Sequence, residues 1–199
     1  VYDNRVERLE DLDALTELET LDASYNRIRK IEGLSHCTKL RTIFLASNRI
    51  AAIEGLDALT ALERLDLGDN HLRAIGSALE RCTALTELWL GKNKIAAITG
   101  LAPLTRLRRL DIQSNRLLVI EGLETLTELE ELYLGHNGLT AVAGLRTLAK
   151  LRTLDLSGNR IETVPAEEVA HLSVLEDLWV RVHVAWAPGA PSVLARRAR

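Results

Sequence analysis

The chain repeats one pattern of apolar and polar positions about every 22 residues. Asparagine marks the period, because all eight asparagines are separated by steps of 22 or 23 residues. They are Asn4, Asn26, Asn48, Asn70, Asn93, Asn115, Asn137 and Asn159. The apolar residues keep the same register, so that the unit reads L-x-x-L-x-L-x-x-N-x-I-x-x-I-x-G-L-x-x-L-x-x. A pattern at this fixed interval predicts a repeat architecture rather than one or two ordinary domains.

Each unit predicts one short strand, a tight turn and a return segment. The L-x-L triplet alternates inward and outward positions, as a strand does. Asparagine suits the turn because its short amide can bond to nearby backbone groups. The leucines that follow, about three residues apart, predict a short helix or 3₁₀ turn. One unit cannot bury its apolar side alone, so the units are expected to stack into a continuous core.

These features match the leucine-rich-repeat signature in pattern and period. We therefore expect an α/β solenoid, a leucine-rich-repeat horseshoe with a parallel β-sheet on its concave face and short helical or 3₁₀ segments on its convex face. Residues 1–180 would hold about eight units, the first of them partial, and residues 181–199 would form a non-repeat C-terminal tail. Because Val1 enters the unit in mid-strand, whereas solenoids normally begin with a polar cap, we expect a fragment that lacks upstream repeats.

The middle residue of each L-x-L is predicted to point out from the concave face. Acidic and aromatic residues alternate in this column, which reads Asp22, Phe44, Asp66, Trp89, Asp111, Tyr133, Asp155 and Trp179. Strands favour aromatic residues in any case, and acids are common on solvated surfaces, but the fold requires neither here. Because Trp and Tyr dominate binding hot spots, the column predicts a protein-binding surface whose partner is basic with apolar pockets.

Two neighbouring columns add detail. The column after the second strand leucine is mostly small and is expected to leave the aromatic rings exposed to a partner; it reads Ser24, Ala46, Gly68, Gly91, Gln113, Gly135, Ser157 and Arg181. The residues directly after the asparagines are mostly basic; they are Arg5, Arg27, Arg49, His71, Lys94, Arg116, Gly138 and Arg160. We interpret this second series as a solvated edge. A phosphate or nucleic-acid track is the alternative, but it lacks interleaved aromatic residues.

Composition narrows the class of protein. The net charge of -3 gives no signal for nucleic-acid binding, and no apolar run approaches the length of a membrane helix. Cys37 and Cys82 occupy a position that is leucine in the other units, and at two repeats apart they are roughly 10 Å from each other, too far for a disulfide. With no disulfide framework and no N-x-[ST] acceptor, an intracellular location is expected.

The sequence contains no recognised catalytic motif. The five histidines make no H-E-x-x-H pattern, and the chain has no P-loop, dinucleotide fingerprint or G-x-S-x-G elbow. The acids of the concave column lie roughly 10 Å apart, wider than a usual carboxylate pair for glycoside hydrolysis. We therefore expect a protein that is not an enzyme, with no catalytic residue, cofactor or metal.

Several segments resemble one family more closely than the generic repeat does. They are residues 21–34 (LDASYNRIRKIEGL), 88–95 (LWLGKNKI), 110–117 (LDIQSNRL) and 132–139 (LYLGHNGL). In this order they resemble the leucine-rich-repeat regulatory subunit of type-1 protein phosphatase, over about residues 1–180. The resemblance implies a nuclear and cytoplasmic protein whose concave face binds the phosphatase catalytic subunit and which does no chemistry itself.

Carried over by position, the binding residues of that family fall on Asp22, Phe44, Asp66, Trp89, Asp155, Asp177 and Trp179. The alternating column adds Asp111 and Tyr133 to this set. The chain departs from the family at both ends, because further upstream repeats and the last repeat with its cap are not present. The alternative is a cytoskeletal or axonemal, dynein-associated scaffold or another leucine-rich-repeat scaffold. Such a scaffold would need a second docking surface.

Overall fold

The computed structural model describes residues 1–180, and the predicted tail, residues 181–199, lies outside the described residues. Eight three-residue strands form one parallel sheet, in chain order. They are β1 (Thr20–Asp22), β2 (Thr42–Phe44), β3 (Arg64–Asp66), β4 (Glu87–Trp89), β5 (Arg109–Asp111), β6 (Glu131–Tyr133), β7 (Thr153–Asp155) and β8 (Asp177–Trp179). The register joins the same position of consecutive units, so that Ile43 lies between Leu21 and Leu65. The predicted solenoid is confirmed.

The return segments on the convex face consist of turns, and helices are scarce. Within residues 1–180 one helix is present, α1 (Ala166–Val169), which lies in the longest unit. Elsewhere the chain makes consecutive short turns: the Cys37 N–H donates to the Leu34 carbonyl, and the Leu40 N–H donates to the Cys37 carbonyl, both at 3.0 Å. These bonds have the i→i+3 spacing of a 3₁₀ helix without forming a continuous one.

One apolar core runs the length of the stack. Ile43, Leu65 and Leu88, at equivalent strand positions, are completely buried. Cys37 and Cys82 are also buried and form no disulfide, which confirms that they are core residues in leucine positions. Burial, with a smaller contribution from the charge of Asp57, raises the pKa of Cys82 to about 11. Its thiol therefore stays protonated at neutral pH and is not a reactive nucleophile.

The asparagines form a hydrogen-bonded ladder through the stack. Asn48 accepts a hydrogen bond at Oδ1 from the N–H of Ile28, in the preceding repeat, at 2.9 Å. Its Nδ2 donates to the Ala23 carbonyl of the preceding repeat at 2.9 Å and to the Leu45 carbonyl of its own repeat at 3.1 Å. Within residues 1–180, no buried side-chain nitrogen or oxygen lacks a partner. Each asparagine from Asn26 to Asn159 thus joins its own turn to the repeat before it.

The chain adopts the left-handed conformation one residue before each asparagine. These residues are Asp3, Tyr25, Ser47, Asp69, Lys92, Ser114, His136 and Gly158, with φ between 51° and 65°. The sequence analysis placed the turn at the asparagine itself, and the structure moves its strained residue to the preceding position. For residues other than glycine this conformation costs roughly 1–2 kcal/mol. Bonds to the next repeat hold it, such as that from the Ser47 N–H to the Gly68 carbonyl at 2.8 Å.

Replacing a buried asparagine is expected to be far more costly than replacing an exposed one. Asn70→Ala would leave the buried N–H of Ile50 without its partner and would remove one of the two asparagine donors from the carbonyls of Leu45 and Leu67. Because each buried polar group left unpaired costs about 1–3 kcal/mol, the free energy of unfolding in urea should fall by at least ~2 kcal/mol. Asn4→Ala, at the exposed start of the same ladder, is the control and should cost less than ~0.5 kcal/mol. Equal losses would contradict the role of the buried amides.

Candidate protein-binding surface

The sheet brings eight of the nine predicted binding residues into one row. The parallel register places Trp89 between Asp66 and Asp111, and it repeats this arrangement along the whole sheet. We call this set the acid–aromatic row; its members are Asp22, Phe44, Asp66, Trp89, Asp111, Tyr133, Asp155 and Trp179. The ninth residue, Asp177, lies in the preceding column, beside Thr153 of β7. It starts the strand in which Trp179 is the last residue.

Each aspartate of the row also closes a local turn. The Gly68 N–H donates to Asp66 Oδ1 at 2.8 Å, and the Ser157 N–H donates to Asp155 Oδ1 at 2.8 Å. Asp22 and Asp111 accept equivalent bonds from the N–H two residues further on. A short acidic side chain is well suited to such a bond. The acids therefore help to end the strands, a role that the sequence analysis did not assign to them.

The small residues two positions after the row have a different role from the one expected. A Cβ at Gly135 would lie 2.9 Å from Asp155 Oδ2, and a Cβ at Gly91 would lie 3.2 Å from Asp111 Oδ1. The small residue after each of these aromatic strands thus makes room for the carboxylate of the next strand. The rings of Phe44, Trp89 and Tyr133, expected to stand out toward a partner, are half-buried because strands flank them on both sides. Trp179, in the last described strand, is 43% exposed.

Like charges along the row act on one another. Burial raises the pKa of Asp66, and although the bond from the Gly68 N–H opposes this, the charges of Asp111 and Asp22 add to the increase. Burial also raises the pKa of Asp111, against the bonds from Gln113, with a further contribution from Asp155. The fold therefore disfavours the negative charge of Asp66 and Asp111, the two central acids of the row.

A cluster of Arg109, Glu131 and Tyr133 fixes one of the aromatic rings. Tyr133 Oη donates to Glu131 Oε2 at 2.7 Å, and Arg109 forms an ion pair with the same carboxylate. The Arg109 guanidinium carbon lies 5.9 Å from the centre of the Tyr133 ring. Burial and the hydrogen bond to Glu131 raise the pKa of Tyr133 to about 12. The pKa of Glu131 is lowered, because its bonds with Arg109 and Tyr133 outweigh the opposing effect of burial. The sequence analysis missed this cluster because it treated the two columns separately.

The strand-exit turns extend the candidate surface beyond the row. A depression of about 240 Å³ is bounded by Trp89, Asp66 and Asp111 on the sheet and by Tyr25 and Lys92 on the turns. Tyr25 is exposed and makes an edge-to-face contact with Tyr2, with ring centres 5.3 Å apart. These turn residues were not among the predicted site residues. The sequence signal for them was their shared position, directly before an asparagine, where most units carry a polar residue or glycine.

Other kinds of site were sought in residues 1–180. No group of three or more histidine, cysteine, aspartate or glutamate side chains is placed there to hold a metal ion. In the same residues, no helix has the length and apolar character that crossing a membrane requires.

Comparison with known proteins places the repeat in a family. A model of two tandem leucine-rich repeats matches residues 16–58 and 60–103, and a second leucine-rich-repeat model matches residues 105–161 and 127–180. No curated protein matches the chain significantly. The matches do not link it to the phosphatase regulatory subunit in particular.

Solved structures share the fold. An internalin (InlF) from Listeria monocytogenes is 25% identical with a TM-score of 0.84, over 98% of this chain and 57% of that one. An internalin C2 from the same organism is 25% identical with a TM-score of 0.82, over 94% of this chain and 78% of that one. The leucine-rich-repeat ectodomain of the receptor kinase GASSHO1/SCHENGEN3 from Arabidopsis thaliana, solved in complex with CASPARIAN STRIP INTEGRITY FACTOR 2, is 23% identical with a TM-score of 0.80, over 98% of this chain and 25% of that one. The chain thus spans about 57% of the first internalin.

The four matched segments extend from residue 16 to residue 180, and the repeats of the fold account for the same span. The chain belongs to the leucine-rich repeat family.

Proposed function

We propose that this protein is a non-catalytic binding module that holds a protein partner on its acid–aromatic row. We further propose that the partner is the catalytic subunit of type-1 serine/threonine protein phosphatase, which the chain regulates. Leucine-rich-repeat folds are typical protein-interaction modules, which supports the general part of this proposal. The specific partner rests on the resemblance of residues 21–34, 88–95, 110–117 and 132–139 to the phosphatase regulatory subunit.

The negative charge of the row is the observation that carries the proposal. Asp66 needs only an acceptor oxygen to hold the Gly68 N–H, and an asparagine amide would supply one. The local turn therefore explains a polar side chain but not a charge. Because the pKa of Asp66 is raised by burial and by neighbouring acids, the ionised carboxylate of Asp66 reduces the stability of the fold. Function commonly retains groups that stability would not select, and a basic partner would neutralise these carboxylates.

The aromatic residues form the second part of the proposed binding surface. Trp89 and Tyr133 are half-buried between strands, and Tyr133 is held by Glu131 and Arg109. Side chains that are already ordered lose little conformational entropy when a partner covers them. Trp179 offers the largest exposed aromatic surface of the row. Trp and Tyr in such positions are the usual centres of protein-binding hot spots.

The proposed partner also determines where the protein would act. A subunit of this phosphatase would work inside the cell, in the nucleus and cytoplasm. The buried, reduced thiols of Cys37 and Cys82 are compatible with a reducing compartment, since cytosolic and nuclear proteins rarely carry disulfides.

Truncating the row tryptophans is expected to abolish tight binding. Trp89→Ala and Trp179→Ala each remove a large ring, and each should weaken binding of the purified type-1 phosphatase catalytic subunit by ~2 kcal/mol or more. Titration calorimetry of the full chain measures the loss for each variant and for the double variant. Val174→Ala serves as the matched control, because Val174 is an exposed apolar residue outside the row.

The controls separate the two parts of the proposal. Unchanged affinity in both single tryptophan variants would refute binding through the row. If the folded wild-type chain does not bind the phosphatase, the specific partner is wrong. The binding-module proposal is then tested with whichever protein an unbiased pull-down recovers, and it fails if the double variant still recovers that protein.

Neutralising one acid of the row is expected to stabilise the fold at neutral pH. The raised pKa of Asp66 means that the native state binds this proton more tightly than the unfolded chain, so stability falls as the pH rises from ~3.9 through the raised pKa. Asp66→Asn removes this loss of stability, so the variant should unfold at a higher temperature than wild type at pH 7. The difference between the two unfolding temperatures should become smaller toward acid pH. Thermal unfolding followed by circular dichroism measures both. Asp57→Asn, an exposed acid on the convex side, should show no such trend.

A further inference from the structure

Two sets of basic residues differ in their contacts. On the side where the chain approaches the strands, cations pair with acids of the neighbouring repeat, as Arg108 does with Glu130 and Arg152 with Glu176. The residues directly after the asparagines behave differently. Within residues 1–180, none of these forms an ion pair: Arg5, Arg27, Arg49, His71, Lys94, Arg116 and Arg160. The arginines and the lysine of this second group form a line of positive charge that no ion pair within residues 1–180 neutralises.

Backbone hydrogen bonds hold the unpaired cations in register. The Arg49 N–H donates to the Ile28 carbonyl, the Lys94 N–H to the Leu72 carbonyl and the Arg116 N–H to the Ile95 carbonyl, each at 2.8 Å. Each bond reaches back to the preceding repeat, so successive cations lie one repeat apart, roughly 5 Å along the stack. Like charges at this spacing repel one another, and screening by solvent reduces the repulsion without removing it.

An exposed apolar strip runs beside the line of cations. In the middle of the line, the positions two and three residues after each basic residue carry Ala51, Ala52, Arg73, Ala74, Ala96, Ala97, Leu118 and Val119, and all of these except Arg73 are apolar. The units on either side carry mainly polar residues at these positions. Leu118 is 67% exposed and Val119 is 53% exposed, and they lie together in one turn. Exposed apolar residues that lie next to one another mark interaction sites more often than isolated ones do. We call the line of cations and these apolar residues together the basic–apolar strip.

The one interruption in the line of cations coincides with the most apolar part of the strip. Gly138 stands where the other complete units carry a basic residue. A Cβ at Gly138 would lie 2.9 Å from Leu118 Cδ2, so the leucine side chain occupies the space above this glycine. A solvated edge would gain from a further charge at this position, whereas a binding surface gains from a larger apolar centre. This arrangement favours a docking surface over the solvated edge that the sequence analysis preferred.

We propose that the basic–apolar strip binds an acidic amphipathic α-helix of a protein partner. A helix lying along the stack presents residues three and four apart at rises of about 4.5 and 6 Å, close to the ~4.8 Å repeat of the sheet. Glutamates or aspartates at that spacing could therefore meet successive cations, while the adjacent helix face covers Leu118 and Val119. A single-stranded nucleic acid binds through its phosphates and through bases that stack on aromatic side chains, and the strip carries no Phe, Tyr or Trp. None of the strip residues belongs to the acid–aromatic row, so this proposal does not rest on the proposed function.

The test uses a fluorescently labelled helical peptide with glutamates at i, i+4, i+7 and i+11 and leucines on the adjacent face. Fluorescence anisotropy with the full chain should show saturable binding, and a peptide of the same composition with scrambled periodicity should bind much more weakly. Arg49→Glu/Arg116→Glu should weaken binding at least about tenfold, because like charges at an interface cost several kcal/mol. Leu118→Ser should weaken it severalfold through the loss of apolar contact.

Three controls make the test specific. Arg81→Glu/Arg106→Glu carries the same change of charge at exposed convex positions and should leave the affinity unchanged. Trp89→Ala/Trp179→Ala should also leave it unchanged, which separates this surface from the acid–aromatic row. Equal binding of the scrambled peptide, or an equal loss in the convex control, would show general charge attraction and overturn the proposal. Tighter binding of a single-stranded oligonucleotide than of the helical peptide would overturn it in favour of a phosphate track.

Discussion

The asparagine amides that join adjacent repeats, from Asn26 to Asn159, are the interaction on which the rest of the structure depends. Asn48 accepts the N–H of Ile28 and donates to the carbonyls of Ala23 and Leu45, so one side chain closes a turn and joins two repeats. A buried amide must satisfy both its donor and its acceptor groups, which only one alignment of adjacent repeats allows. The same alignment lets the residues before the asparagines adopt the left-handed conformation. Each repeat therefore has the same geometry as the repeat next to it.

This alignment converts a sequence period into functional surfaces. A residue type that recurs once per unit becomes a row across the repeats, on whichever face its position selects. The last strand position gives the acid–aromatic row, and the position after the asparagine gives the line of cations. The acids of the first row show how structure and function share one residue: Asp155 holds the Ser157 N–H, and its charge remains available on the concave face. The rows have opposite charge, which favours different partners for each.

The sequence predicted the alignments well and the interactions between columns poorly. The period was enough to place Leu21, Ile43 and Leu65 in the core and Asp66 beside Trp89, because stacking requires equivalent positions to coincide. Contacts between columns, such as Tyr133 with Glu131, depend on the rotamers of particular side chains. The scarcity of helices was also beyond the pattern, since leucines three apart suit a 3₁₀ helix and a series of single turns equally.

Hydroxyl-radical footprinting of the chain, alone and bound to the type-1 phosphatase catalytic subunit, tests the central claim that the acid–aromatic row holds the partner. Each solvent-accessible aromatic or aliphatic side chain reports its own burial in the complex. The account predicts that oxidation of Trp89, Tyr133 and Trp179 falls on binding, while oxidation of Val174 on the convex side does not change. Protection of Val174 with no change at the three aromatic residues would contradict it, because the partner would then bind outside the row.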